Sequence, residues 1–296
     1  MVSFIRKQGL ASAIFLWFAT PLCGAPGLPY SGPGIDIVNM IDPGIPGFVG
    51  PDGVGVVSVN NGVNPLFTAW ATEVVNYSPA PNVSNEFKTP LKALGPVTAD
   101  YLDIVSLGEL SSANITNGIP AGSITLSFGV AVANGPGPDF AVFENGFVQG
   151  GTSKILGELA YVEVSSDGVS FARFPSDSRT SAAVGPFGVI DAEGVFNLAG
   201  KHVNNADSDG ISVGTPFNLD DLAADPLVVG GIVNLGYVRY IRVVDVPGDG
   251  SFLDAQGDPI YDAWPSVASG GFDLEAVGVI NATPISAASD LWSAYQ

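Results

Sequence analysis

Three observations predict an all-β protein, a mostly antiparallel β-sandwich. Ile124, Leu126, Phe128, Val130 and Val132 alternate with Thr125, Ser127, Gly129 and Ala131, the period-2 pattern of a strand with one buried face. Ser166-Asp167-Gly168-Val169 separates two strand-like runs, and an Asp-Gly pair tolerates the backbone that a tight hairpin requires. The chain is 46% hydrophobic and only 13% charged, with 38 Gly and 23 Pro. That composition suits many short strands joined by turns and is too apolar for a disordered acidic chain.

Arg6 and Lys7 precede an apolar run at residues 10–22, and Gly24 and Ala25 follow it. Basic flank, short apolar stretch and small residues together predict a secretory signal peptide at 1–25, too short an apolar run to span a bilayer comfortably. The only cysteine, Cys23, would leave with it. A mature chain of this length can bury a sizeable core without disulfides. Residues 26–65 are dense in turn signals such as Asp42-Pro43-Gly44 and Asn60-Asn61-Gly62, predicting an irregular lead-in with room for one hairpin.

The sandwich domain is expected at 66–281. After the strand at 124–132, Asp139-Phe-Ala-Val-Phe-Glu144 is apolar inside and acidic at both ends, as a central strand buried on two faces would be. Residues 161–165 and 170–174 form the Asp-Gly hairpin, and 227–233, 237–244 and 274–280 supply further strands. Short helices are expected at 220–224 and after Ser286, and residues 282–296 read as a short C-terminal tail.

Ten basic residues stand against 29 acidic ones, a net charge of -19 that the loss of Arg6 and Lys7 makes more negative. Such a surface repels nucleic acid and anionic lipid, so neither is an expected partner. No second long apolar segment appears, and no transmembrane anchor is expected. His202 is the only histidine, which excludes a multi-histidine metal site; in its polar context it reads as a surface-loop residue. No nucleophile elbow accompanies it. No catalytic residue is assigned.

Tyr161-Val-Glu-Val-Ser-Ser-Asp-Gly-Val-Ser-Phe171, Val238-Arg-Tyr-Ile-Arg-Val243 and Asp273-Leu-Glu-Ala-Val-Gly278 resemble strands of discoidin-type, galactose-binding-like jelly rolls. Gly137-Pro-Asp-Phe-Ala-Val-Phe-Glu-Asn-Gly-Phe147, Leu198-Ala-Gly-Lys201, Gly214-Thr-Pro-Phe-Asn-Leu219, Asp258-Pro-Ile-Tyr-Asp262 and the stretch from Gly271 to Asn281 resemble a family of uncharacterised secreted bacterial surface proteins. Many of those carry a PEP-CTERM sorting tail. This chain shows no Pro-Glu-Pro and no terminal basic cluster after Asn281.

The jelly-roll resemblance implies a metal tying the first loop to the closing strand, with Asp273 as a ligand. Calcium is the expected ion because it takes several hard oxygen ligands. Glu275, two residues on, shares the strand face of Asp273 in a regular strand, and 82–86 could supply loop partners. The other reading is that these are solvated strand-end carboxylates. Asp139 and Glu144 are a lesser candidate pair: five residues apart along a strand they point to opposite faces, so sharing one site would need a bulge. Asp245, Asp249 and Asp254 lack the spacing of an EF-hand and read as loop residues.

Trp264 lies in Tyr261-Asp-Ala-Trp-Pro-Ser266, where its ring either stacks on a pyranose, with Tyr261 beside it and Asp262 accepting sugar hydroxyls, or folds back onto the core. The sequence therefore reads as a secreted or cell-surface noncatalytic binding module, for polysaccharide and stabilised by calcium. Its partners would be an extracellular glycan or other surface proteins. Two alternatives stay open: a structural matrix or surface-layer component, and a two-carboxylate glycoside hydrolase or lyase.

Overall fold

Apolar alternation and turn chemistry build a long antiparallel sheet that curls on itself. The computed structural model describes residues 44–49, 62–98, 100, 102–149, 153–203, 212–266 and 270–285. The expected signal peptide and the helix after Ser286 lie outside them. The eleven strands of the main sheet are β1 (Ile45–Pro46), β2 (Ala69–Ser78), β3 (Val105–Ser106), β4 (Ser123–Val132), β5 (Phe140–Glu144), β6 (Ala160–Ser165), β7 (Ala172–Arg173), β8 (Val213–Phe217), β9 (Val238–Asp245), β10 (Asp273–Val279) and β11 (Ala282–Pro284). Their order is β1-β8-β5-β10-β2-β4-β9-β6-β7, with β3 paired to β10 and β11 to β4.

Strand β2 makes the corner. Its first residues, Ala69 and Trp70, pair with Val279 and Gly278 of β10, and the rest runs along β4. Register shifts at Ala71/Glu73 and Val74/Asn76 bend it from one half to the other, the usual work of a bulge. The halves enclose one core, to which β4, β6 and β9 bring Ile124, Leu126, Val162, Val164, Ile241 and Val243. Opposite them, β5, β8 and β10 bring Val142, Phe217, Leu274 and Val277. Phe140, Phe174 and Phe217 meet within it at 5.0–5.8 Å between ring centroids. The all-β sandwich expected from the sequence is what forms.

The pattern-based strands hold where the period is clear. β5 is buried throughout, as expected of a central strand, and sits between β8 and β10. β6 and β7 form the expected hairpin, its turn held by Asp167, whose Oδ1 accepts the Val169 and Ser170 N–H groups at 2.8 Å. Gly168 there has φ +78°, which a side chain would resist. Thr125 and Ser127 of β4, expected on the open face, are 5% and 7% exposed, and Ser127 Oγ donates to Glu73 of β2.

Two expectations are corrected. Residues 227–233 are not a strand: Pro226–Val229 is a short helix, because Asp225 accepts the Leu227 N–H as N-cap and Pro226 fits the first turn. The sheet itself takes in β1, which pairs with β8, and β11, which pairs with Val130–Val132. Finally, His202 is 1% exposed rather than a surface residue, and its N–H donates to Thr215 Oγ1 of β8 at 3.0 Å. The short 220–224 helix appears as a 3-10 turn at Leu219–Leu222, and the lead-in hairpin appears as Phe48–Val49 paired with Gly62–Val63. Among the described residues no helix is long and apolar enough to cross a membrane.

Candidate functional site

The strands end in acids at one rim of the sandwich. β5 finishes on Glu144 beside the start of β10, whose first residue is Asp273; Leu274 is paired with Glu144. β9 finishes on Asp245, paired with Ala160 at the start of β6. Three further carboxylates come from loops: Glu109 after β3, Glu158 before β6, and Asp262 just after the short strand Pro259–Tyr261. Five of these six acids are buried. Glu144, Asp245 and Asp262 are each 1% exposed, Asp273 4% and Glu109 7%. Glu158 is partly exposed as a whole residue, and Asp273, Glu144 and Asp262 are the acids that act on its carboxylate.

Backbone amides hold several of these acids in place. Asp245 Oδ1 accepts the Phe272 N–H at 2.8 Å, Asp262 Oδ2 that of Leu159 at 2.7 Å, and Glu158 Oε1 that of Gly271 at 2.9 Å. Glu109 Oε2 accepts the Ser266 hydroxyl at 3.0 Å, and Ser266 Oγ in turn accepts the Gly271 N–H at 3.2 Å. Other oxygens lack such partners: both of Glu144, Oε1 of Glu109 and Oδ2 of Asp245. The Glu158 backbone lies close enough to favour the charged form of Glu144 without a well-formed hydrogen bond.

Burial dominates the electrostatics. It pushes Glu144, Glu158, Asp245 and Asp262 well above the usual carboxylate range, and Glu109 up to about 9. Their neighbours reinforce the shift: Asp273 and Asp262 act on Glu144, Glu158 and, after a lowering bond from Phe272, Asp245, and Asp245 acts on Glu109. No Lys or Arg is among the causes of these shifts. The contrast is Glu163 of β6, 4% exposed, which pairs with Arg173 at 2.7 Å and with Arg242. A buried acid with cationic partners is thus solved elsewhere in the same sheet, in the way buried charge generally requires.

Of the sequence-predicted metal pair, Asp273 joins the rim, and the register of β10 against β5 shifts between Leu274 and Ala276, next to Glu275. Glu275 instead accepts the Thr98 N–H at 2.8 Å through Oε1 and the Ser212 hydroxyl at 3.0 Å through Oε2. Glu86, from the suggested 82–86 loop, sits exposed in the 3-10 turn Asn85–Phe87. Asp139 lies at the opposite end of β5, where it accepts from Gly135, Leu219 and Asn281.

Of the expected sugar-binding residues, Tyr261 and Trp264 are half-buried, whereas Asp262 points into the acidic rim and offers no oxygen to solvent. The Trp264 indole N–H donates to Leu110 O at 3.0 Å. Nothing in the sequence marks Glu109 or Glu158 as a ligand, whereas Glu144 enters there as a lesser candidate beside Asp139, and Asp245 as a loop residue. The signal was an acid closing an otherwise apolar strand, visible at Glu144, Asp245 and Asp273. Among the described residues no group of three or more His, Cys, Asp or Glu side chains is placed to hold a metal ion. No protein-family model and no curated protein matches the chain.

Proposed function

We propose that this chain is a noncatalytic extracellular binding module, secreted or held at the cell surface, which recognises polysaccharide through the loop at 261–266. The observation that carries this reading is the anchoring of Trp264, part-exposed while its indole N–H is fixed on Leu110. Both ends of the loop are tied down as well, Asp262 to Leu159 and Ser266 to Glu109. An aromatic ring held by its own polar atom on a rigid sandwich meets the needs of stacking on a pyranose, since little ordering is left for binding to impose. With Asp262 turned inward, Tyr261 is the polar neighbour for sugar hydroxyls. The resemblance to secreted bacterial surface proteins supports the location.

The two-acid hydrolase reading finds less support. Its carboxylates must reach a glycosidic oxygen across a cleft, and the acids of this rim are buried. The test is a polysaccharide panel with a hydrolysis assay, run on the unmodified protein and Trp264→Ala. Binding without product release, weakened about tenfold in the variant, is expected, equivalent to ~1.4 kcal/mol. No binding across a broad panel would remove the glycan reading, and released product would replace it with a hydrolase.

A further inference from the structure

We infer that Phe187 is a second stacking residue of the polysaccharide site, so that the module holds an extended, uncharged sugar chain at two points, Trp264 and Phe187. This rests on the glycan reading of the 261–266 loop and adds to it a residue and a class of ligand. Phe187 is 77% exposed, and among the described residues no other aromatic side chain is classed as exposed. Its backbone has φ +56°, at the third position of the turn Gly185–Gly188, which the Gly188 N–H closes on Gly185 O at 3.0 Å. A positive φ there is the glycine position of a type II turn, and an aromatic residue adopts it against a steric cost. Burial does not offset that cost, because the ring lies in water. Strain kept at an exposed ring points to a contact that the ring makes with a ligand.

The tip holds its shape by itself. Pro186 fixes its own φ, Gly185 takes φ +78°, and a Cβ at Gly188 would stand 2.3 Å from Val184 O. A ring on so constrained a turn loses little freedom on binding. The base of the loop connects it to the site. Val184 packs on the apolar cluster that holds Ile155, Ile190 and Ile260, as Phe252 does. Ile260 precedes Tyr261 in the strand Pro259–Tyr261, which leads into the loop of Trp264. Both aromatic loops are thus rooted in one cluster outside the main core.

Charge decides the ligand class. Residues 180–190 and 263–266 contain no charged side chain, while the whole chain carries -19. An anionic polymer finds no cation on either loop and is repelled by the rest, and a second copy of this chain would bring the same negative charge. A neutral polysaccharide offers the apolar faces of its rings to Phe187 and Trp264 and needs no cation.

The experiment is calorimetric titration with soluble β-glucan, galactomannan and xyloglucan, and with short fragments of each, on the unmodified protein, Phe187→Gly and Trp264→Ala. Phe187→Gly should weaken binding of the long chains about tenfold and leave the short fragments unaffected. It should also keep or raise the thermal midpoint, because glycine takes a positive φ freely. Trp264→Ala should weaken both long and short ligands. Undiminished long-chain binding in Phe187→Gly, with Trp264→Ala impaired, would overturn the role of Phe187 and leave the glycan reading standing. No binding by the unmodified protein would overturn both. Tighter binding of a polyuronate than of any neutral chain would overturn the ligand class, and a dimer in sedimentation that Phe187→Gly dissolves would give the ring to a second copy instead.

Discussion

The Asp245 carboxylate accepts the Phe272 amide N–H at 2.8 Å, so the last residue of β9 grips the residue just before β10. β9 and β10 belong to opposite halves of the sandwich, with β2 and β4 between them in the sheet order. Asp245 is therefore a tie between halves as well as a member of the acidic rim. Asp245→Ala should cost about 2 kcal/mol by stranding a buried N–H, a loss visible in urea unfolding even with chelator present. An unchanged midpoint would show that the tie contributes nothing.

Asp139 does comparable work at the far end of β5. Its two oxygens accept from the Leu219 and Gly135 amides and the Asn281 side chain at 2.7–2.9 Å, linking β5 to two loops. Asp139→Ala should lower stability by about 3 kcal/mol, read as an earlier midpoint in urea unfolding. An unchanged midpoint would show that these bonds exchange with water at no cost.

Gly248 offers a steric test of Asp262. An added Cβ there meets Asp262 Oδ1 at 1.8 Å and the Asp262 backbone N at 2.6 Å, and the backbone cannot yield as a flexible side chain would. Gly248→Ala should destabilise by roughly 2 kcal/mol or more, because Asp262 must leave its bond to Leu159. A neutral result in thermal unfolding would show that this loop adapts easily.

The raised carboxyls give the chelated protein a defined pH dependence. Burial first, and Asp245 second, push Glu109 from an ordinary 4.5 to about 9, and burial raises Asp139 as well. Between those limits the folded chain holds protons that the unfolded chain has released, so this contribution to stability is lost as pH rises. In chelator, the midpoint should be higher at about pH 5 than at about pH 8. A chelated protein that becomes more stable over that interval would contradict these environments.

Much of the fold was legible because one physical signal dominated locally. The alternation at 124–132 and the Asp167-Gly168 turn each admit one reading, and each is found. Residues 227–233 misled because a short apolar run fits strand and helix alike, and the deciding residues, Asp225 and Pro226, stand just outside it. The acidic rim was legible only in part. Asp273 opens β10 and Glu144 closes β5, as acids bounding apolar strands suggest, while the register shift after Leu274 is set by pairing with β5 rather than by local sequence. Glu109 and Glu158 come from loops distant in the chain, and only the folded sheet brings them to the same rim.

Polysaccharide binding by the unmodified protein and by Trp264→Ala, measured on one panel, tests the central claim most directly. Binding that weakens about tenfold in the variant, equivalent to ~1.4 kcal/mol, is the predicted result. Binding that is undiminished in a folded Trp264→Ala protein would contradict the claim that this ring carries recognition.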